Sequence, residues 1–158
     1  NTIITTLKKL YGPDFSSIDL AILYGSQKPY SDIDLFIISD KLNSVHLGWL
    51  DVYVKKPSEL ENSIKNLLID VTDPIFSGRA IIDTKNFQEG LKKRILSQEI
   101  TPEAINENLK YSEEQGRIAL MYPENSRERK TALGYENSFA INATELKKGN
   151  KILIYQKD

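Results

Sequence analysis

Two apolar runs separated by a short polar turn decide the fold of this chain: Leu20-Ala21-Ile22-Leu23-Tyr24-Gly25-Ser26 and, five residues later, Asp32-Ile33-Asp34-Leu35-Phe36-Ile37-Ile38. Runs of this length and composition predict two buried β-strands that are joined by a tight turn. A glycine at the end of the first run lets the backbone approach a phosphate closely. The pattern therefore predicts a strand, a turn suited to phosphate, and a second strand that begins with two acids.

The two acids at the start of the second run indicate a cation site. Asp32 and Asp34 are two positions apart, so in a strand their side chains project from the same face. Two carboxylates about 4 Å apart repel each other by roughly 4 kcal/mol at an effective dielectric constant near 20. We therefore expect a cation beside them, and Mg²⁺ is the hard cation that oxygen ligands prefer.

Composition narrows the class of protein. The 158 residues suit one domain, or one small domain with a helical extension. The absence of cysteine excludes disulfides, thiolate catalysis and cysteine metal sites. Lys and Arg together number 21 against 22 for Asp and Glu, so no strong overall charge attracts nucleic acid or a membrane. We expect a cytoplasmic protein without a membrane span or signal peptide.

Further elements are predicted before residue 86. Residues 2–11 have apolar side chains at helical spacing, and residues 50–54 alternate in the way that is typical of a third strand. In that strand Asp51 belongs to the face opposite to Leu50. A helix is predicted to begin at Pro57, turns are predicted at Asp73-Pro74 and Ser77-Gly78, and a short edge strand is predicted at residues 80–82.

The chain becomes helical in character after residue 85. Thr101 and Ser126 are predicted to cap two long helices, and Gly149 is predicted to follow the end of the second one. The whole pattern predicts an α+β fold, with a small mixed sheet and flanking helices followed by a helical C-terminal part. We expect an α/β domain at residues 1–85 and a helical region packed on it at residues 86–158.

Three segments together resemble a known family: Leu23-Tyr24-Gly25-Ser26, Ser31-Asp32-Ile33-Asp34-Leu35 and Leu50-Asp51-Val52. They are similar to the nucleotidyltransferase domains of the DNA polymerase beta superfamily, in particular to the minimal and kanamycin-type nucleotidyltransferases. Members of that family have Gly-Ser, an acid-x-acid pair on the next strand and a third acid on a neighbouring strand. The resemblance covers residues 15–85, and beyond them it is only architectural.

The resemblance implies a role for each matching residue. Gly25 and Ser26 would hold the phosphates of a nucleoside triphosphate. Asp32, Asp34 and Asp51 would be catalytic metal ligands, with Asp51 near the attacking hydroxyl. Two Mg²⁺ ions would stabilise the attacking and leaving oxygens. His46, by contrast, is expected to be a solvated loop residue.

The resemblance also implies the reaction and the partners. A nucleoside monophosphate would pass from the triphosphate to a hydroxyl of a small molecule, a protein or RNA, and pyrophosphate would leave. Relatives of the kanamycin type suggest a homodimer, whereas a non-catalytic module would have a helical partner protein. They also draw a general base from the helical half, where Glu113, Glu114 and Glu136 are available and none is singled out.

Only five residues separate Ser26 from Asp32, fewer than is usual in the family. A helix that starts at Gly-Ser would be shortened to about one turn, which weakens phosphate binding at its N-terminus. This departure supports an alternative function, in which the chain is a non-catalytic nucleotidyltransferase-like antitoxin or regulatory binding module. A toxin-like transferase that modifies tRNA is a third hypothesis.

Overall fold

A five-stranded mixed sheet organises the protein, for which a computed structural model describes residues 2–25 and 32–152. The strands follow the order β3-β4-β2-β1-β5 across the sheet. Their bounds are β1 Leu20–Tyr24, β2 Ile33–Ile38, β3 Val45–His46, β4 Leu50–Lys55 and β5 Arg79–Asp83. The strands predicted at the positions of β1, β2, β4 and β5 are confirmed. Each of them has the alternating or continuous apolar pattern that is typical of a strand.

In the described part of the chain, six α-helices flank the sheet or follow it in sequence. They are α1 Thr2–Tyr11, α2 Pro57–Lys65, α3 Ile69–Ser77, α4 Phe87–Ser97, α5 Pro102–Ala119 and α6 Arg127–Lys147, and a 3₁₀ helix spans Gly12–Ser17. The α+β class with a helical C-terminal part is therefore confirmed. No helix in the described ranges is both long enough and apolar enough to cross a bilayer.

The sheet combines antiparallel and parallel pairs. β1 runs antiparallel to both β2 and β5, whereas β2 and β4 run parallel. In the parallel pair Asp34 lies opposite Asp51, and in the antiparallel pair Tyr24 lies opposite Asp34. This register brings the end of β1 and the beginnings of β2 and β4 to one edge of the sheet.

The two faces of the sheet bury different cores. Leu20, Ile22, Phe36 and Ile38 pack against helical residues that include Leu146 of α6. Ala21, Leu35, Ile37 and Val52 belong to the opposite face, in the cluster that also contains Leu7 of α1. Side chains alternate between faces along a strand. The even-numbered residues of β1 and β2 therefore point to the face that packs against Leu146 of α6, which we call the helical face. Asp51 and Tyr53 of β4 point to the same face.

Short polar residues and prolines begin the helices where the sequence predicted. Thr101 Oγ1 accepts a hydrogen bond from the Ala104 amide, and Ser126 Oγ accepts one from the Arg129 amide. Each cap satisfies an amide that has no partner within its own helix. Pro57 occupies the first turn of α2, where its missing N–H costs nothing.

The turn predicted at Asp73-Pro74 is wrong, because both residues lie inside α3. Pro74 is buried there together with Val71 and Ile75. Tertiary burial of this apolar face outweighs the cost that proline imposes on a helix interior. The turn predicted at Ser77-Gly78 fits better, since Gly78 caps the end of α3 by donating its amide to the Pro74 carbonyl.

Two buried asparagines connect the C-terminal helices to the α2–α3 turn. Asn142 of α6 and Asn108 of α5 both donate side-chain hydrogen bonds to the Leu67 carbonyl, at 2.9 and 3.3 Å. Leu67 has a positive φ of 49°, which places it in the left-handed region. The two amides therefore fix an uncommon backbone conformation.

The division into residues 1–85 and 86–158 stays a prediction.

Candidate functional site

Three predicted acids gather at the edge of the sheet where β2 and β4 begin. Asp34 and Asp51 are register partners on the helical face, and Asp32 precedes β2 by one residue. All three side chains are partly exposed. The parallel pairing of β2 and β4 is what brings the third acid beside the first two.

Gly25 forms one wall of this cluster. It has a positive φ of 82°, and a Cβ atom at this position would lie 2.5 Å from Asp34 Oδ2. No side chain fits that space without moving the carboxylate. The other residue predicted to hold phosphate, Ser26, lies outside the described residues, as does the rest of the turn at 27–31. Of the predicted phosphate pair, Gly25 alone can therefore be placed.

Arg127, the first residue of α6, lies between two of the three acids. Its Nη2 donates to Asp32 Oδ2 and, at 2.9 Å, to Asp51 Oδ2. Its Nη1 lies 3.4 Å from the Gly48 carbonyl oxygen. The Arg127 side chain is 40% exposed, and those of Asp32 and Asp51 are 34% and 36% exposed. The guanidinium thus supplies the positive charge that the acid cluster requires.

His46 contacts the other oxygen of Asp51. Its Nδ1 is hydrogen-bonded to Asp51 Oδ1, and the two residues are register partners in the β3–β4 pair. His46 belongs to a short strand, so the expected loop position is wrong. Its side chain is 50% exposed. Asp51 therefore has one oxygen toward an imidazole and the other toward a guanidinium.

Tyrosines continue the site across the helical face of the sheet. Tyr24 and Tyr135 are joined by a side-chain hydrogen bond. Burial raises the pKa of Tyr135 to about 12, and the negative charges of Asp70 and Asp34 add to that shift. Burial also raises the pKa of Tyr24 well above its ordinary value. Both hydroxyls therefore keep their protons at neutral pH and can donate hydrogen bonds.

A second polar group lies farther along β4. The Tyr53 hydroxyl donates to Asp70 Oδ2 at 2.9 Å, and Lys55 Nζ lies 3.5 Å from the same oxygen. The Tyr53 ring stacks on Phe36, with 6.1 Å between ring centroids. Burial raises the pKa of Tyr53, and the carboxylate of Asp70 raises it further. This group anchors α3 to the sheet beside the acid cluster.

The structure brings together the predicted residues Gly25, Asp32, Asp34 and Asp51. Sequence reasoning missed Arg127 and the contact of His46 with Asp51. No local pattern marks Arg127, which is 95 residues from Asp32. Among the three glutamates considered as a base, the Glu136 carboxylate of α6 lies against Gly116 of α5.

The donor chemistry of the cluster fits a hard cation. Within residues 2–25 and 32–152, no group of three or more His, Asp or Glu side chains is arranged to hold a metal ion. Mg²⁺, however, is commonly bound by one or two carboxylates together with substrate phosphates and water. Asp32 and Asp51 already share one positive group, the Arg127 guanidinium, which stands in the place of a cation.

Comparisons with known proteins add little to this site. No protein-family model matches the sequence, and no curated protein matches it. Among solved structures, it is similar to a nucleotidyltransferase-like protein from Exiguobacterium sibiricum 255-15, with a TM-score of 0.47 and 12% sequence identity. The match covers 94% of this chain and 57% of the other, so the chain spans little more than half of that protein. A likeness of this size carries no argument about function.

Proposed function

We propose that this protein transfers a nucleoside monophosphate from a nucleoside triphosphate to a hydroxyl acceptor, with the help of Mg²⁺. The observation that supports the proposal is the register of Asp34 with Asp51, two carboxylates on one face of adjacent strands. Asp32 and the open backbone of Gly25 lie at the same edge of the sheet. A purely structural strand has no need for three acids at this edge.

Each residue has a distinct role in the proposal. Asp32 and Asp34 would hold the divalent cation, and Asp51 would complete the ligand set near the attacking oxygen. Gly25 would let the phosphates approach the end of β1, because it has no side chain there. When bound, the cations supply Lewis-acid stabilisation to the attacking and leaving oxygens of the displacement.

The bonds that change are those of the α-phosphorus. The acceptor oxygen forms a bond to it, the bond to the β-phosphate bridging oxygen breaks, and pyrophosphate leaves with its electron pair. The acceptor hydroxyl gives its proton to solvent water in the same reaction, and the negative charge leaves with pyrophosphate. The acceptor class, whether a small molecule, a protein or RNA, is open in this proposal.

Labelled triphosphates test the proposal directly. The full chain is incubated with Mg²⁺, each of the four α-³²P-labelled nucleoside triphosphates, and acceptor pools of small molecules, total protein or total tRNA. Incorporation of label is expected for at least one combination, and Asp34→Asn should abolish it. Titration calorimetry with Mg²⁺ and each triphosphate should show binding that the variant loses.

Asp40→Asn is the matched control for this experiment. Asp40 is an exposed aspartate just past the opposite end of β2, so the same change in charge is made away from the cluster. Its activity and binding should equal those of the unchanged protein. The proposal fails if no triphosphate binds and if Asp34→Asn behaves like Asp40→Asn.

One observation favours a second candidate, a non-catalytic module that binds a nucleotide or a helical partner protein. Arg127 contacts two of the three acids, and a permanent ion pair there would exclude a metal ion. Under this hypothesis a triphosphate would bind without Mg²⁺ and would not be turned over. Any incorporation of label from the triphosphates would contradict it, and the α- and γ-labelled nucleotides would otherwise be recovered intact.

A further inference from the structure

We infer that Arg127 is an internal counter-ion that competes with the divalent cation for Asp32 and Asp51. Its guanidinium contacts one oxygen of each carboxylate from a single nitrogen, Nη2. A divalent cation that used both carboxylates would need the same space and the same lone pairs. The two occupants are therefore mutually exclusive, and this inference rests on the proposed function of the site.

Electrostatics explains why the pair forms in the metal-free protein. Among the described residues, His46 and Arg127 have side chains that contact the oxygens of Asp51. Repulsion among the clustered carboxylates falls when a positive charge lies between them. Arginine suits this role, because its charge persists at every ordinary pH and its planar group reaches two acceptors at once.

The position of Arg127 allows it to leave. It is the first residue of α6, and its side chain is 40% exposed, so no packed core holds the guanidinium in place. Apart from the two carboxylates, the hydrogen-bond partner of the guanidinium within residues 2–25 and 32–152 is the Gly48 carbonyl at 3.4 Å. Half-exposed ion pairs contribute little net free energy, so a divalent cation can displace the guanidinium at little cost.

Competition of Arg127 with a cation can be distinguished by measurement from a purely structural role of this residue. If Arg127 only fastened α6 to the sheet, its removal would lower stability and leave cation affinity unchanged or reduced. If it competes for the carboxylates, its removal must raise cation affinity. Two negative charges are released from their partner, and ligand charge is what sets affinity for a hard cation.

Mn²⁺ titration of the full chain tests the inference. Free Mn²⁺ is measured by its electron paramagnetic resonance signal for the unchanged protein, for Arg127→Ala and for Arg127→Met, which keeps side-chain length without charge. We expect both variants to bind Mn²⁺ about fivefold more tightly, equivalent to about 1 kcal/mol. Arg127→Lys should be intermediate, because one ammonium cannot match the planar group.

Arg129→Ala is the control. Arg129 lies two residues farther along α6, and its guanidinium contacts the Tyr122 carbonyl. The change in charge is the same, so Mn²⁺ affinity should stay at the original value. Equal or weaker Mn²⁺ binding by Arg127→Ala and Arg127→Met overturns the inference, and so does a lack of binding by every variant.

The failure of this inference differs from the failure of the proposed function. If Mn²⁺ binds equally to all arginine variants and Asp34→Asn abolishes that binding, the competition is wrong and the metal site stands. If Arg127→Ala tightens Mn²⁺ binding but no label is incorporated from any triphosphate, the competition stands and the transferase function is wrong.

Discussion

The carboxylate of Asp34 fills the space that a side chain at Gly25 would need. The ideal Cβ position of Gly25 is 2.5 Å from Asp34 Oδ2, and the φ of Gly25 is +82°. Glycine is therefore required at this position for two reasons: the backbone has a positive φ, and a side chain would displace the Asp34 carboxylate. The end of β1 and the start of β2 are coupled through this single contact.

Gly25→Ala should therefore impair the site more than the fold. A left-handed alanine costs of order 1–3 kcal/mol in the free energy of unfolding, and the Asp34 carboxylate must also move. We expect Mn²⁺ affinity to fall by at least about tenfold, since the displaced carboxylate no longer lies at ligand distance from the ion. Urea unfolding and Mn²⁺ titration measure the two effects separately.

Gly149→Ala is the control, because it introduces the same positive-φ backbone strain away from the Asp34 carboxylate. Gly149 has a φ of +86° just after the end of α6, and no atom of another described part of the chain lies within 4 Å of its ideal Cβ position. Its variant should lose stability by a similar amount and keep its Mn²⁺ affinity. If both glycine variants bind Mn²⁺ alike, Gly25 has no special relation to the site.

The acid cluster could be predicted from the sequence because its geometry is local. Asp32 and Asp34 share a face by strand periodicity, and Asp51 lies on the corresponding face of another predicted strand. Burying the apolar face of each strand places Asp34 and Asp51 on the same face of the sheet, but the exact register is seen only in the structure. Strand pattern therefore predicted the pair Asp32 and Asp34, whereas the family resemblance singled out Asp51 as the third acid.

The remaining features depend on tertiary packing that no local pattern encodes. Arg127 reaches Asp32 across 95 residues, because α6 begins beside the edge of the sheet. Pro74 is helical because the surrounding apolar residues are buried, although proline in a sequence ordinarily predicts a turn. Both features result from where helices pack, and packing outweighs local preference.

Asp51→Asn should weaken cation binding with little effect on stability. The ion pair of Asp51 with Arg127 is half-exposed on both sides, so its loss should change the free energy of unfolding by no more than about 1 kcal/mol. Loss of a ligand charge should reduce Mn²⁺ affinity by about tenfold or more. Thermal melts and Mn²⁺ titration, with Asp40→Asn as the control, measure both. A large loss of stability with unchanged affinity would contradict the assignment.

Asn108→Ala should be strongly destabilising. The fully buried Asn108 amide donates to the carbonyls of Asn66 and Leu67, and its Oδ1 accepts from Asn142 Nδ2 at 2.9 Å. Removal leaves buried polar groups without partners, so we expect a loss of about 2–4 kcal/mol in the free energy of unfolding. Urea denaturation monitored by circular dichroism provides the measurement.

The control for this change is Asn106→Ala on the same helix. Asn106 is exposed, and alanine has the higher helix propensity, so stability should change by no more than about 0.5 kcal/mol. Equal effects of the two substitutions would show that the buried amide network contributes nothing beyond helix propensity.

Alkaline pH should unfold the protein through its buried tyrosines. The pKa of Tyr135 rises from 10.0 to about 12 in the folded state, mainly because the hydroxyl is buried. The unfolded chain therefore releases this proton near pH 10, whereas the folded protein retains it until about pH 12. The stabilising contribution of the retained proton is complete below pH 10 and is lost between pH 10 and 12.

Each retained proton reduces the free energy of unfolding by about 1.4 kcal/mol per pH unit in that window. Tyr24 and Tyr53 have pKa values raised in the same direction and add to the slope. Thermal melts from pH 8 to 11 should show a steep fall above pH 10, less steep in Tyr135→Phe. Tyr122→Phe, an exposed tyrosine, should keep the original slope. A tyrosinate absorbance at 295 nm that develops fully near pH 10 in the folded protein would contradict the burial of these hydroxyls.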